Sequence, residues 1–112
     1  MAKIAISSSG DQVESPIVHN FGRAPYFALF DESGEVSVYA NPGLDAMRGA
    51  GVKAAQSVVN SGANIVITGK VGPRAEDVLK EAGIKVFIYD EDTISVEDAF
   101  ESYKNGKLQR LF

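Results

Sequence analysis

The stretch Asn64-Ile65-Val66-Ile67-Thr68-Gly69-Lys70-Val71-Gly72-Pro73-Arg74-Ala75-Glu76-Asp77-Val78-Leu79 reads as a buried strand that passes through a glycine-rich turn into a helix. Pro73 stands in the first helical turn, where its missing N–H costs nothing, and Glu76 and Asp77 suit the positive end of the helix dipole. Ala75, Val78, Leu79 and Ala82 form an apolar stripe, and Gly83 ends the helix, which predicts a span of 73–82. A second β-like run, 84–89, follows directly. Two strands joined through a helix pair in parallel by a right-handed crossover, so this stretch commits the chain to an α/β sheet.

Working outward, further β-like runs occupy 2–7, 26–32 and 35–41, besides 64–69 and 84–89. Phe30-Asp31-Glu32-Ser33-Gly34-Glu35-Val36 sets polar turn residues and a glycine between the second and third strands, which makes them a hairpin. Val52, Ala55, Val58 and Val59 line one face of a helix over 49–61. Ser95 and Asp98 make a capping box, with Asp in place of Glu or Gln, for a third helix over 96–105 whose stripe is Val96, Ala99, Phe100 and Tyr103. The order β-β-β-α-β-α-β-α predicts a three-layer α/β/α domain. Its mixed sheet has five strands in the order 3-2-1-4-5, with strand two antiparallel.

In such sheets a ligand sits beyond the carboxyl ends of the parallel strands where the strand order reverses, here between strands one and four. Three segments are expected at that edge: Ser7-Ser8-Ser9-Gly10, Arg48-Gly49-Ala50-Gly51, and Thr68-Gly69-Lys70-Val71-Gly72-Pro73. Glycine backbones and helix N-termini there suit an anion. Arg23, Arg48, Lys70 and Arg74 map to the same end, but so do Asp11, Glu14, Asp45 and Asp90-Glu91-Asp92, so a solvated mixture of charges is the competing reading. Plain turn chemistry is the competing reading of each glycine segment.

Fifteen acidic and eleven basic residues give a net charge of −4 and a pI near 4.9, contrary to the basic footprint of a nucleic-acid binder. With 112 residues and 45% hydrophobic content, one domain over 1–112 is expected. No cysteine is present, which excludes a disulfide framework and any thiolate-held cluster built from this chain alone, and fits a reducing cytoplasm. The amino-terminal run is too short for a signal-peptide core, and no stretch approaches a membrane span of about 20 apolar residues. His19 is the lone histidine and Met47 the lone internal methionine; neither makes a self-sufficient metal site.

Val18-His19-Asn20-Phe21-Gly22-Arg23-Ala24-Pro25-Tyr26-Phe27, Asn41-Pro42, Gly49-Ala50-Gly51-Val52-Lys53-Ala54-Ala55 and Gly72-Pro73-Arg74-Ala75, with Leu79 and Gly83-Ile84-Lys85-Val86, together resemble the dinitrogenase iron-molybdenum cofactor biosynthesis family. The resemblance spans nearly the whole chain, and Phe-Gly-Arg-Ala-Pro is its most specific part. It implies a ribonuclease H-like fold and an accessory role in nitrogen fixation: binding, storing or passing on the iron-molybdenum cofactor or its iron–sulfur precursor. Metal-binding relatives often carry histidine directly before Phe-Gly and a His-x-His-Gly ahead of the first helix. Here Asn20 and Asp45-Ala46-Met47-Arg48-Gly49 stand instead.

The expectation is therefore a non-enzymatic, cytoplasmic binding module for an anionic metallocluster. Ser8, Ser9, Gly10, Arg23, Arg48, Gly49, Gly51, Gly69, Lys70 and Gly72 would hold it, with His19 as an optional metal ligand, and a cluster donor or acceptor protein would be its partner. The alternative is a metal-free binder of a small anionic metabolite using the same loops. Nuclease chemistry is disfavoured because Lys3-Ile4-Ala5-Ile6-Ser7 carries no acid and strand four ends in Thr68-Gly69-Lys70. A cysteine nucleophile, a Gly-x-Ser-x-Gly elbow and a phosphate-loop Gly-Lys-Ser/Thr are all missing from the sequence.

Overall fold

The computed structural model describes residues 3–45 and 48–112. Strands β1 (Lys3–Ser8), β2 (Tyr26–Asp31) and β3 (Val36–Ala40) come first, with a single 3-10 turn at Phe21–Arg23 between β1 and β2. Then follow α1 (Ala50–Asn60), β4 (Ile65–Thr68), α2 (Pro73–Glu81), β5 (Lys85–Ile88), α3 (Val96–Lys104) and β6 (Gln109–Arg110). The sheet order is β3-β2-β1-β4-β5-β6. β1 pairs in parallel with β4, and β4 with β5, while β2 is antiparallel to both β1 and β3.

The expected order and the antiparallel second strand are present, but the sheet has six strands rather than five. β6 pairs antiparallel with β5 through Phe87↔Arg110 and Ile88↔Gln109. Val86 N donates to Phe112 O at 3.1 Å and Leu111 N to Val86 O at 2.7 Å, which continues the pairing to the last residue. Two exposed polar residues show no alternation, so only the apolar anchors Leu108 and Phe112 on either side could have signalled this strand.

Side chains of β1 alternate between two cores. Ala5 joins Phe27, Val66 and Val86 beneath α1 and α2, where Ala54, Ala55, Val58, Ala75 and Leu79 close the layer. Ile4 and Ile6 join Ala28, Phe30, Ile65 and Ile67 on the opposite face, packed on Val96, Ala99 and Phe100 of α3. Phe30 stacks on Phe100 with ring centroids 4.2 Å apart. Helices thus cover both faces, and Ala55, Val58, Ala75, Leu79, Val96, Ala99 and Phe100 of the predicted stripes are buried, whereas Val52 is half-buried, Ala82 is exposed just beyond α2, and Ala54 joins the core instead. The capping box of α3 forms in full: Asp98 N donates to Ser95 Oγ at 3.1 Å and Ser95 N to Asp98 Oδ2 at 3.2 Å. Among the described residues no helix is long and apolar enough to cross a membrane.

Candidate functional site

Beyond the ends of β1 and β4 the chain returns across the sheet as residues 17–21 and fills the gap. Ile17 bridges Ser8, and Val18 N donates to Ser7 O at 3.3 Å. His19 O accepts from Gly69 N at 3.1 Å and Lys70 N at 2.6 Å, and Phe21 N donates to Lys70 O at 3.0 Å. A side chain on Gly69 would meet His19 Cα at 2.8 Å, so glycine is what allows the segment to lie this close. Beneath it three hydroxyls meet: Ser7 Oγ is 2.9 Å from Thr68 Oγ1 and 2.8 Å from Tyr89 Oη, and donates to Val18 O at 2.7 Å. Tyr89 Oη also donates to Ser7 O at 2.8 Å. Burial pushes the Tyr89 phenol far above its ordinary range, although its hydrogen bonds to Ser7 pull the other way.

The open space lies beside this cover, on the face of α1 and α2. It is a cavity of about 370 Å³ whose walls are Asn20, Gly22 and Arg23 of the 3-10 turn, Gly49 to Val52 at the start of α1, and Gly72 to Ala75 at the start of α2. Neither Gly49 nor Gly72 offers a side-chain cap, and α2 opens with proline. The first N–H groups of both helices, which have no intrahelical acceptor, therefore meet no N-cap side chain either, and two positive dipole ends face one hollow. Close backbone packing brings them together. A Cβ on Gly22 would sit 3.0 Å from Gly51 Cα and N, and one on Gly51 would sit 3.3 Å from Ala75 Cβ.

Two asparagines brace this arrangement. Asn20 Oδ1 accepts from Gly22 N at 3.1 Å, which leaves its NH2 end as the group it offers a ligand. The buried Asn41 donates to Gly22 O at 3.2 Å and Ala24 O at 2.8 Å and accepts from Gly43 N at 2.9 Å, so it ties the 3-10 turn to the loop before α1. Arg23 Nη1 donates to Leu44 O at 3.0 Å in the same loop. Arg23 and Arg74 are both exposed at the cavity wall. Together the walls present donors and positive charge, the chemistry of an anion site. Another hollow, of about 420 Å³, lies at the opposite end of the sheet against Lys3, Asp31 and Glu35. It mixes one amine with carboxylates and has no helix terminus, so it lacks that character.

Of the residues expected at one edge, Arg23, Gly49, Ala50, Gly51, Gly72, Pro73 and Arg74 line the cavity. Gly69 and Lys70 lie under the His19 segment, and Arg48 is an exposed neighbour of Gly49 outside the lining. The His19 ring packs edge-on against Tyr89 at 5.7 Å and does not line the cavity. Ser8, Ser9 and Gly10 turn away, which corrects the expectation of a single crevice. Ser8 shares the sheet face of Ile4 and Ile6, so the chain leaves β1 toward α3. There Ser8 Oγ donates to Gly10 O at 2.7 Å and Ser9 Oγ to Pro16 O at 2.8 Å. The loop then caps α3, with Val96 N donating to Ser15 O and Glu97 N to Val13 O. Met47 lies outside the described residues.

Asn20, Gly22, Val52 and Ala75 are wall residues that the sequence reading did not assign to the site. Asn20 two residues before the turn's glycine was the available signal, because asparagine there bonds its own backbone two residues on. Among the described residues no three His, Asp or Glu side chains gather to hold a metal ion. The ends of β1 and β4 present Ser7 and Thr68 hydroxyls where a metal-dependent nuclease needs carboxylates.

A model of the dinitrogenase iron-molybdenum cofactor family matches residues 1–106. An uncharacterized protein of Methanocaldococcus jannaschii is 31% identical over 115 residues, covering 99% of this chain and 92% of its own length. Among solved structures, the apo form of the orange protein of Desulfovibrio gigas superposes with a TM-score of 0.91 at 32% identity, covering 98% of this chain and 92% of that one. An NMR structure of a Thermotoga protein, described as a candidate NifB protein, superposes with a TM-score of 0.87 at 37% identity, covering 99% and 94%.

Proposed function

Because the chain belongs to the dinitrogenase iron-molybdenum cofactor family, we propose that it is a non-enzymatic carrier whose cargo is an anionic metallocluster, an iron-molybdenum-type cofactor or its iron–sulfur precursor. The cargo docks in the cavity between the starts of α1 and α2. The observation that carries this reading is the meeting of two uncapped helix N-termini with Arg23 and Arg74 around one hollow. Backbone N–H groups of Ala50, Gly51, Ala75 and their neighbours, with the two guanidinium groups, hold the anion. Direct metal coordination contributes little, since the lining contains no histidine, cysteine or carboxylate. Such a hold releases its cargo readily, which suits handing it to an acceptor protein.

The same donor set favours a second reading, a metal-free binder of a small anionic metabolite. Anaerobic incubation with an iron–sulfur precursor, then gel filtration and metal analysis, separates the two. Retained stoichiometric metal supports the carrier, and protein that emerges metal-free but binds orthophosphate supports the alternative.

Affinity then tests the mode of holding. A charge-assisted hydrogen bond contributes about 1.5–3 kcal/mol, so Arg23→Ala and Arg74→Ala should each weaken precursor binding by about tenfold or more. His19→Ala should change it little. Raising the salt should weaken binding to the wild-type chain, because exposed charges are screened beyond about 8 Å at physiological ionic strength. Loss of binding in His19→Ala alone, with both arginine variants normal at every salt concentration, would replace this model with a histidine ligand.

A further inference from the structure

The two edges of the sheet are built differently. β6 is two residues long, whereas β3 is a five-residue strand, Val36-Ser37-Val38-Tyr39-Ala40, with no proline and no charged side chain. Natural edge strands are usually blunted by such devices, since an unpaired strand edge is a template for another chain.

The register of β3 shows which groups are offered. Asp31 N donates to Glu35 O at 3.0 Å and Asn41 N to Pro25 O at 2.9 Å, and between them Leu29 opposes Ser37 and Phe27 opposes Tyr39. In an antiparallel ladder the bonded residues alternate, so Glu35, Ser37, Tyr39 and Asn41 bond inward to β2. Val36, Val38 and Ala40 therefore direct both N–H and C=O away from the sheet.

We propose that β3 pairs antiparallel with β3 of a second copy of this chain about a two-fold axis at Val38, so that one sheet runs through both copies. This register sets Val38 against Val38 of the other copy and Val36 against Ala40, so every outward N–H and C=O on these residues meets a partner. Val36, 39% exposed, and the half-buried Val38 then gain apolar cover along the α3 face. Charge does not oppose the pairing. Val36 to Ala40 carry no charge and Glu35 falls opposite Asn41 of the other copy, so no like charges oppose within the paired strands. A two-fold contact of this kind closes on itself.

The interface is small, so the dissociation constant should be on the order of 10–100 µM. Sedimentation equilibrium of the full chain should show a monomer–dimer equilibrium. The chain has no cysteine, so Val38→Cys adds a single thiol at the axis. A bonded antiparallel pair spaces Cα atoms about 5.5 Å apart, within disulfide range, and mild oxidation should cross-link Val38→Cys to itself far faster than Ile94→Cys, whose site is 70% exposed elsewhere. Val38→Pro and Ala40→Pro each remove an outward N–H without removing a bond to β2. Either one, if it melts near the wild-type temperature, should be monomeric. A wild-type chain that is monomeric up to about 1 mM, equal cross-linking at positions 38 and 94, or a folded Ala40→Pro that still dimerises would overturn the proposal.

Discussion

Tyr89 anchors the end of β1 from outside the cavity, through its bonds to both oxygens of Ser7, whose hydroxyl in turn meets Thr68 at the end of β4. Its phenol is pushed upward by burial, so the folded chain keeps that proton more tightly than the unfolded chain does. The stabilising contribution is complete below the unfolded tyrosine value near 10 and is lost as pH rises above it. Tyr39 is shifted in the same direction by its own burial and adds to the effect. Tyr89→Phe should cost about 1 kcal/mol at pH 7 through the lost hydrogen bonds. It should also flatten the alkaline fall in stability, as denaturant melts at pH 8 and pH 10.5 would show. A variant whose stability falls as steeply as the wild type would place the alkaline transition in another group. The residue scale is also where the sequence was least legible. Ser7 and Thr68 each follow an apolar run, but nothing in one chain's linear order says that two strand ends and a distant tyrosine share one knot.

At the scale of elements the sequence spoke clearly, because period and punctuation agree. The Pro73 start, the Gly83 stop and the stripe of Ala75 and Leu79 between them place α2 within a residue of its observed end. The capping box of α3 forms although Asp98 is shorter than the usual Glu, since its carboxylate still reaches the Ser95 N–H. Ser95→Ala should therefore destabilise the chain by about 1 kcal/mol, read as a lower denaturant midpoint with unchanged slope. An unchanged midpoint would mean that the Ser15 and Val13 carbonyls, which accept from Val96 and Glu97, suffice to cap this helix. The 3-10 turn and β6 escaped the reading for a common reason. Each spans a single period of the pattern that would reveal it, too little to repeat, and each is fixed by distant partners, Asn41 for the turn and Val86 for the last strand.

For the whole molecule, topology located the cavity and packing decided which residues line it. The reversal of strand order between β1 and β4 pointed to the end of the sheet where the cavity lies, and Arg23, Gly49, Gly51 and Gly72 line it. Ser8 to Gly10 were expected beside them on strand order alone. The alternation of β1 sends that loop to the α3 face, and residues 17–21 close the gap that strand order leaves open. In the proposed mode, helix N-termini and arginines, with few or no metal–ligand bonds, hold an anionic cluster between α1 and α2. The most direct measurement is an anaerobic two-dimensional amide NMR titration of the chain with an iron–sulfur precursor. The largest shifts or paramagnetic broadening should fall on the amides of Ala50, Gly51, Val52, Arg74 and Ala75. Perturbations centred on Ser8, Ser9 and Gly10, with those five amides unmoved, would contradict that mode.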